Sequence, residues 1–150
     1  MDRLRGDAFW ERCLEESPRT FHLAIFVPPY LDLILEGRKT AESRFSRLRI
    51  APYGQVAAGD VLLLKRSGGP IAGICLIEHV WQFDLETIGL APIRAEFAAA
   101  LCATGDAFWQ ARTTARYATI MSLTHVRPIA PLPYSKRDRR GWVCLRTVLE

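Results

Sequence analysis

The sequence predicts an α+β fold, a small mixed or antiparallel β-barrel decorated by helices, and three observations predict it. The periodic segments run in the order strand, helix, several strands, helices, two strands, with no linker between them. The strand segments beginning at Val61 and Ile71 are apolar on both faces in places, as a barrel or a covered sheet requires. The 150 residues, 49% hydrophobic and 24% charged, suffice for one core without disulfide or metal staples.

Each element has a local reason. Gly6 to Leu14 reads as a helix capped by Asp7, with Phe9, Trp10, Cys13 and Leu14 on one face. Phe21 to Val27 reads as a strand. Pro28-Pro29 can open a helix at its first turn, Leu31, Ile34 and Leu35 form its apolar stripe, and Gly37 stops it, which places a short helix at 29–36. The basic segment Arg38 to Arg49 leaves directly from that helix end. Gly59-Asp60 turns into a strand at Val61 to Lys65, and Ser67-Gly68-Gly69-Pro70 turns into a second at Ile71 to Val80, an antiparallel pair joined by a tight loop.

From Asp84 to Thr113 the period becomes helical. Ile93, Phe97, Ala100 and Leu101 share one face, and Asp106 is read as the cap of a further helix carrying Phe108, Trp109 and Arg112. Tyr117 to Val126 and Trp142 to Val148 are strands again. The prolines at 128, 131 and 133 exclude helix and central strand from the loop between them, 128 to 141. The string Gly-Asp-Ala-Phe-Trp, at 6–10 and again at 105–109, is read as two helix starts using the same cap, not as an internal repeat.

Composition excludes several classes of function. The longest apolar runs, such as Val61 to Leu64, fall far short of the roughly 18 residues of a membrane helix, and Met1-Asp2-Arg3 leads into charged residues, so secretion and membrane binding are disfavoured. Cys13, Cys75, Cys102 and Cys144 are scattered without a CxxC pair or histidines at ligand spacing. They read as reduced, mostly buried thiols of a cytoplasmic protein with no metal and no cofactor. The net charge is only +4, yet residues 38–49 and 136–140 together hold nine basic residues against Glu42 and Asp138. If the two segments meet in the fold, that surface calls for a polyanion, nucleic acid above all; otherwise they are two solvated loops.

The 38–49 segment carries the most chemistry. Lys39 adjoins Arg38 and is near Arg44, and like charges at that range disfavour a protonated lysine, one route to a base or nucleophile. If residues 40–44 are extended, Thr40, Glu42 and Arg44 point to one side. Glu42 would then accept from a base's exocyclic amine while Arg44 and Lys39 bind phosphate or carbonyl oxygen; the alternative is that Glu42 pairs with Arg44 or Arg47 and merely holds the loop. Of Trp81, Trp109, Tyr117 and Trp142, Tyr117 is the best candidate to stack on a base, and Trp142 is read as core. His22, His79 and His125 are read as satisfied structural histidines. The Lys136 to Arg140 loop would add phosphate contacts without sequence preference.

The run Tyr30 to Arg44, with Gly37, Lys39, Glu42 and Arg44 matching a helix that ends in Gly-x-Lys-x-x-Glu-x-Arg, resembles the ASCH domain family. The likeness extends to Gly59-Asp60, to Gly73 through Glu78, to Arg116 through Met121, and to Lys136 through Val143. It implies a PUA-like fold over residues 21–150, with residues 1–20 as an N-terminal helical extension. It further implies binding of nucleic acid, RNA first, in a basic cleft suited to a nucleotide or modified base. The binding residues would be Arg38, Lys39, Glu42, Arg44, Arg47 and Tyr117, with Arg137, Arg139 and Arg140 on the rim. The competing implication is a hydrolase in which Lys39 and Glu42 are catalytic, either an amidohydrolase acting on N4-acylcytidine-type nucleosides or a metal-independent ribonuclease. In those amidohydrolases the position three after the lysine is a threonine; here it is Glu42, Thr40 follows the lysine directly, and Glu86 or Glu96 would have to supply a further acid. A protein-interaction module is the third class, and oligomeric state is open.

Overall fold

The computed structural model describes residue 4 and residues 6–16, 19–134 and 139–148; Arg137 of the expected rim, and Lys136 beside it in the same loop, lie outside the described residues. In chain order the elements are α1 (Ala8–Glu16), β1 (Arg19–Phe26), α2 (Tyr30–Leu35), β2 (Ala41–Ser46), β3 (Val61–Arg66), β4 (Ile71–Asp84), α3 (Leu85–Ile88), α4 (Ala91–Leu101), α5 (Asp106–Gln110), β5 (Tyr117–Leu132) and β6 (Trp142–Val148). The strands form one curled six-stranded sheet in the order β2-β5-β4-β3-β1-β6. β1 and β3 run parallel and the other neighbours antiparallel, so the barrel is mixed.

Period-two alternation divides the strands between two apolar layers, and this is why β1 and β3 are apolar on both faces. Ala24, Phe26, Leu62 and Leu64 pack with Leu31 and Ile34 of α2, Met121 and Trp142. Leu23, Val61 and Leu63, one residue out of phase, pack with Leu4, Trp10 and Cys13, so α1 covers the other side of the same strands. α3, α4 and α5 cover a third cluster, where Ile93, Phe97, Leu101 and Trp109 meet Ala41, Ala118 and Ile120.

Three local expectations change. The segment after α2, read as a basic stretch and considered extended over 40–44, is a full ladder strand, β2, paired with residues 117–122 of β5. β5 also runs through Pro128 and Pro131 to Leu132, with Pro128 opposite Gly73 and Leu132 opposite Ile71. Two features accommodate the prolines: β2 covers only the first part of β5, so that among the described residues one side of β5 beyond residue 122 has no partner strand, and Pro131 falls in the register irregularity between the Gly73–Pro128 and Ile71–Leu132 pairs. The repeated Gly-Asp-Ala-Phe-Trp string does not give two equal caps. Asp7 precedes α1 and accepts from the Trp10 N–H at 3.1 Å, whereas Asp106 is already the first residue of α5, makes no cap bond and pairs with Arg94 at 2.6 Å.

The two ends of the sheet order, β2 and β6, are joined by a side chain. Arg44 of β2 donates from Nη1 to the Gly141 carbonyl at 2.8 Å and from Nη2 to the Ile25 carbonyl at 3.0 Å, with its guanidinium over the rings of Phe26 and Trp142 at 5.2 and 5.5 Å. Behind this seam His22 is fully buried, its Nε2 2.8 Å from Asp60 Oδ2. Trp142 donates its indole N–H to His22 Nδ1 at 3.1 Å; an indole can only donate, so Nδ1 accepts and the ring proton sits on Nε2, facing Asp60.

Candidate functional site

A cleft of about 540 Å³ opens beside β2, with Lys39, Glu42 and Arg44 at its floor, Tyr30 and Phe108 in its walls and Arg112 at its side. The exit of α2 sets the position of Lys39. Gly37, at φ 80°, ends the helix, and the N–H groups of Arg38 and Lys39 both return to the Leu33 carbonyl at 3.0 Å. The next peptide is clamped on both sides, Thr40 N–H donating to Ala100 O and Thr40 O accepting from Leu123 N–H, each at 2.9 Å. Lys39 is thereby turned inward, donates from Nζ to the Leu101 carbonyl at 3.0 Å and stands 3.4 Å from Glu42.

Glu42 organises the floor. Its Oε1 accepts from the Ser43 N–H at 2.7 Å and faces Lys39, while Oε2 accepts from Arg44 Nη2 at 3.1 Å. Burial by itself raises the pKa of this carboxyl, but Lys39, Arg44 and the two hydrogen bonds more than offset it, so the net shift is downward and Glu42 stays ionised. Arg112 lies with its guanidinium 3.5 Å above the Phe108 ring and donates to the Phe108 carbonyl at 2.8 Å. Removal from water lowers its pKa from the ordinary arginine value, against Tyr30 and Glu42, which act the other way. The cleft therefore gathers three cations around one carboxylate, between aromatic walls.

The sequence-predicted residues separate into groups. Glu42 and Arg44 come together as the period-two argument required and Lys39 joins them from the helix exit, whereas Thr40, the third residue of that argument, does not line the cleft; Glu42 does hold Arg44, together with Lys39 instead of Arg47. Of the two like charges expected near Lys39, Arg38 is exposed and reaches back to Glu36 at 3.6 Å, whereas Arg44 shares Glu42 with the lysine. Arg47 is exposed beyond the end of β2, and Arg139 and Arg140 are exposed next to Gly141, whose carbonyl Arg44 holds. Tyr117 does not line the cleft. Its ring is buried in β5, against Tyr53 at 4.8 Å and beneath the guanidinium groups of Arg49 and Arg116. Glu86 pairs with Arg116 at 3.3 Å and Glu96 lies on the exposed side of α4; neither borders the cleft.

Other expectations resolve residue by residue. Trp109 and Trp142 are core, while Trp81 packs on Phe97. Of the histidines, only His22 is a satisfied core residue; His79 is exposed, and His125, at φ 51°, stacks on Phe9. Cys13 and Cys75 are buried, and burial pushes the Cys75 thiol far up, but Cys144 is exposed. Among the described residues no His, Cys, Asp and Glu side chains group as metal ligands, and no helix is long and apolar enough to cross a membrane. Sequence reading missed Tyr30, Phe108 and Arg112 as members of the site. The spacing of Phe108 and Arg112, four residues apart, was the available signal, since it stacks a cation on an aromatic at one helix end.

No family model matches the sequence, and no curated protein is a significant match. Solved structures do match. The ASCH protein of Zymomonas mobilis superposes with a TM-score of 0.64 over 84% of this chain and 87% of that one, at 16% identity. A serine-to-alanine mutant of that protein gives 0.62 over 87% and 91%, at 16% identity, and a tyrosine-to-phenylalanine mutant gives 0.65 over 85% and 91%, at 17%. A likeness of this kind, near-complete in both chains but low in identity, is a statement about architecture, and the curled mixed sheet with helices packed against it is the ASCH fold, of PUA-like type.

Proposed function

We propose that this chain is a nucleic-acid-binding member of the ASCH family that takes a nucleotide of single-stranded RNA into the cleft beside β2. The observation that carries the reading is the cleft itself: Lys39, Arg44 and Arg112 around one ionised carboxylate, between the rings of Tyr30 and Phe108. Cations set among aromatic rings suit a ligand with an anionic backbone and a flat base. The Gly37, Lys39, Glu42 and Arg44 pattern supports the family, and the shared fold agrees with it. Each residue has a distinct part. Glu42 fixes the directions of Lys39 and Arg44, Arg112 meets phosphate from a half-dehydrated position, and Tyr30 and Phe108 offer apolar surface to a base. Arg47, Arg139 and Arg140 extend the positive potential outward and contribute without sequence preference.

Retention of end-labelled single-stranded RNA, measured across a salt series, tests this reading. Arg112→Ala should weaken binding about tenfold and flatten the salt slope by about one phosphate contact. Equal affinity and equal slope for the variant and the parent would overturn the cleft assignment. Hydrolysis is the second reading, because Lys39 and Glu42 sit side by side at the floor, 3.4 Å apart. It ranks below binding, since both groups are held by each other and by backbone partners. Cleavage of the labelled RNA, or loss of acetyl from N4-acetylcytidine, abolished in Lys39→Ala, would reverse that order.

A further inference from the structure

A second hollow, of about 170 Å³, lies on the other side of Arg44 and Phe45, which border both spaces. Its remaining walls include Ser46, Pro52, Tyr53 and Trp142. From Glu42, in the first hollow, to Ser46, in the second, β2 advances four residues, or about 13 Å at strand rise. That distance is within reach of two neighbouring nucleotides, and the side chain standing at the divide is the cation Arg44.

The segment that follows β2 adds a second kind of observation. Arg47, Leu48, Arg49 and Ile50 are all exposed, Leu48 by 69% and Ile50 by 55%, so a surface loop alternates cations with bare apolar side chains. Such an alternation suits a loop lying along a nucleic-acid strand, where the apolar groups cover base faces and the arginines meet phosphates. Ile50 borders the second hollow directly, and Arg49 lies over the Tyr53 ring at 5.9 Å, which places cation and ring together beside that space.

We infer that the site is built for two consecutive nucleotides, one base in each hollow with the linking phosphate at Arg44, so that the ligand class is a single strand and not a free nucleoside. The inference rests on the reading of the cleft given above and adds to it a second subsite, Tyr53 and Ile50, with a length requirement.

Calorimetric titration of the full chain with the four ribonucleoside 5′-monophosphates, the four matching 5′-phosphorylated homodinucleotides and mixed-sequence hexanucleotides tests it. At least one dinucleotide should bind ten times or more tighter than its monophosphate. Tyr53→Ala and, independently, the exposed Ile50→Ala should remove most of that gain and leave monophosphate affinity alone; Tyr53→Phe should keep it. Thermal melts of all three variants establish that each is folded, and Ile50, being on the surface, serves if Tyr53→Ala is not. A dinucleotide that binds no better than its monophosphate, or a gain insensitive to both alanine variants, overturns the second subsite while the first stands. Absence of binding by every probe, hexanucleotides included, overturns the cleft reading itself.

Discussion

Glu42 shows how one buried carboxylate can serve structure and site at once. Its oxygens orient Lys39 and Arg44, and its pKa is held below the usual glutamate value by those same partners, despite burial. The folded pKa lies below the unfolded one, so the stabilisation is fully present above the unfolded value, near 4.5, and is lost as pH falls through the folded value. Glu42→Gln leaves two cations without their carboxylate and should cost about 3–5 kcal/mol at neutral pH. Denaturant midpoints of parent and variant, followed downward in pH, should converge below about pH 4.5; a constant difference to pH 3 would show that charge is not the cause. At this scale the Gly37 to Arg44 run was readable because helix exit and period two act on neighbours in sequence. Arg112 was not, because its approach to the cleft depends on α5 folding back over β2, some seventy residues later in the chain.

At the scale of elements, close packing of α2 on β4 makes the clearest demand. A Cβ at Gly73 would meet Leu35 Cδ2 at 2.9 Å and Leu64 Cδ1 at 3.1 Å, with the Arg127 carbonyl at 3.4 Å behind. Gly73→Ala should therefore destabilise by about 1–3 kcal/mol through overpacking, read as a lower denaturant midpoint at unchanged slope. Element type was legible wherever a cap, a stop or a turn sat in sequence: Asp7, Gly37, and the Gly59-Asp60 and Ser67 to Pro70 turns all fall where expected. β5 was truncated in the reading because proline is excluded from a strand only where both edges are paired. Which edges are paired is decided by the length of β2, a property of another segment. Asp106 failed as a cap by one residue of register, which composition does not reveal.

Over the whole molecule, α1 is part of the core and not an appendage to it. Trp10 is 1% exposed and packs in the layer formed by Leu23, Val61 and Leu63. Trp10→Ala should cost about 3–5 kcal/mol and lower the melting temperature correspondingly; a loss under 1 kcal/mol would show that the sheet is self-sufficient. The barrel class was readable from the doubly apolar β3, but its closure was not, because Arg44 closes it from a side chain across the order of the sheet. That closure has a further consequence. The guanidinium that would meet a phosphate also holds the carbonyls of Ile25 and Gly141, and the Ile25 N–H in turn donates to Gly141 at 3.0 Å. Any occupant that pulls on Arg44 must loosen or tighten the breathing of this seam, so the rate at which the Ile25 amide exchanges with deuterated solvent becomes a label-free gauge of whether the cleft is filled.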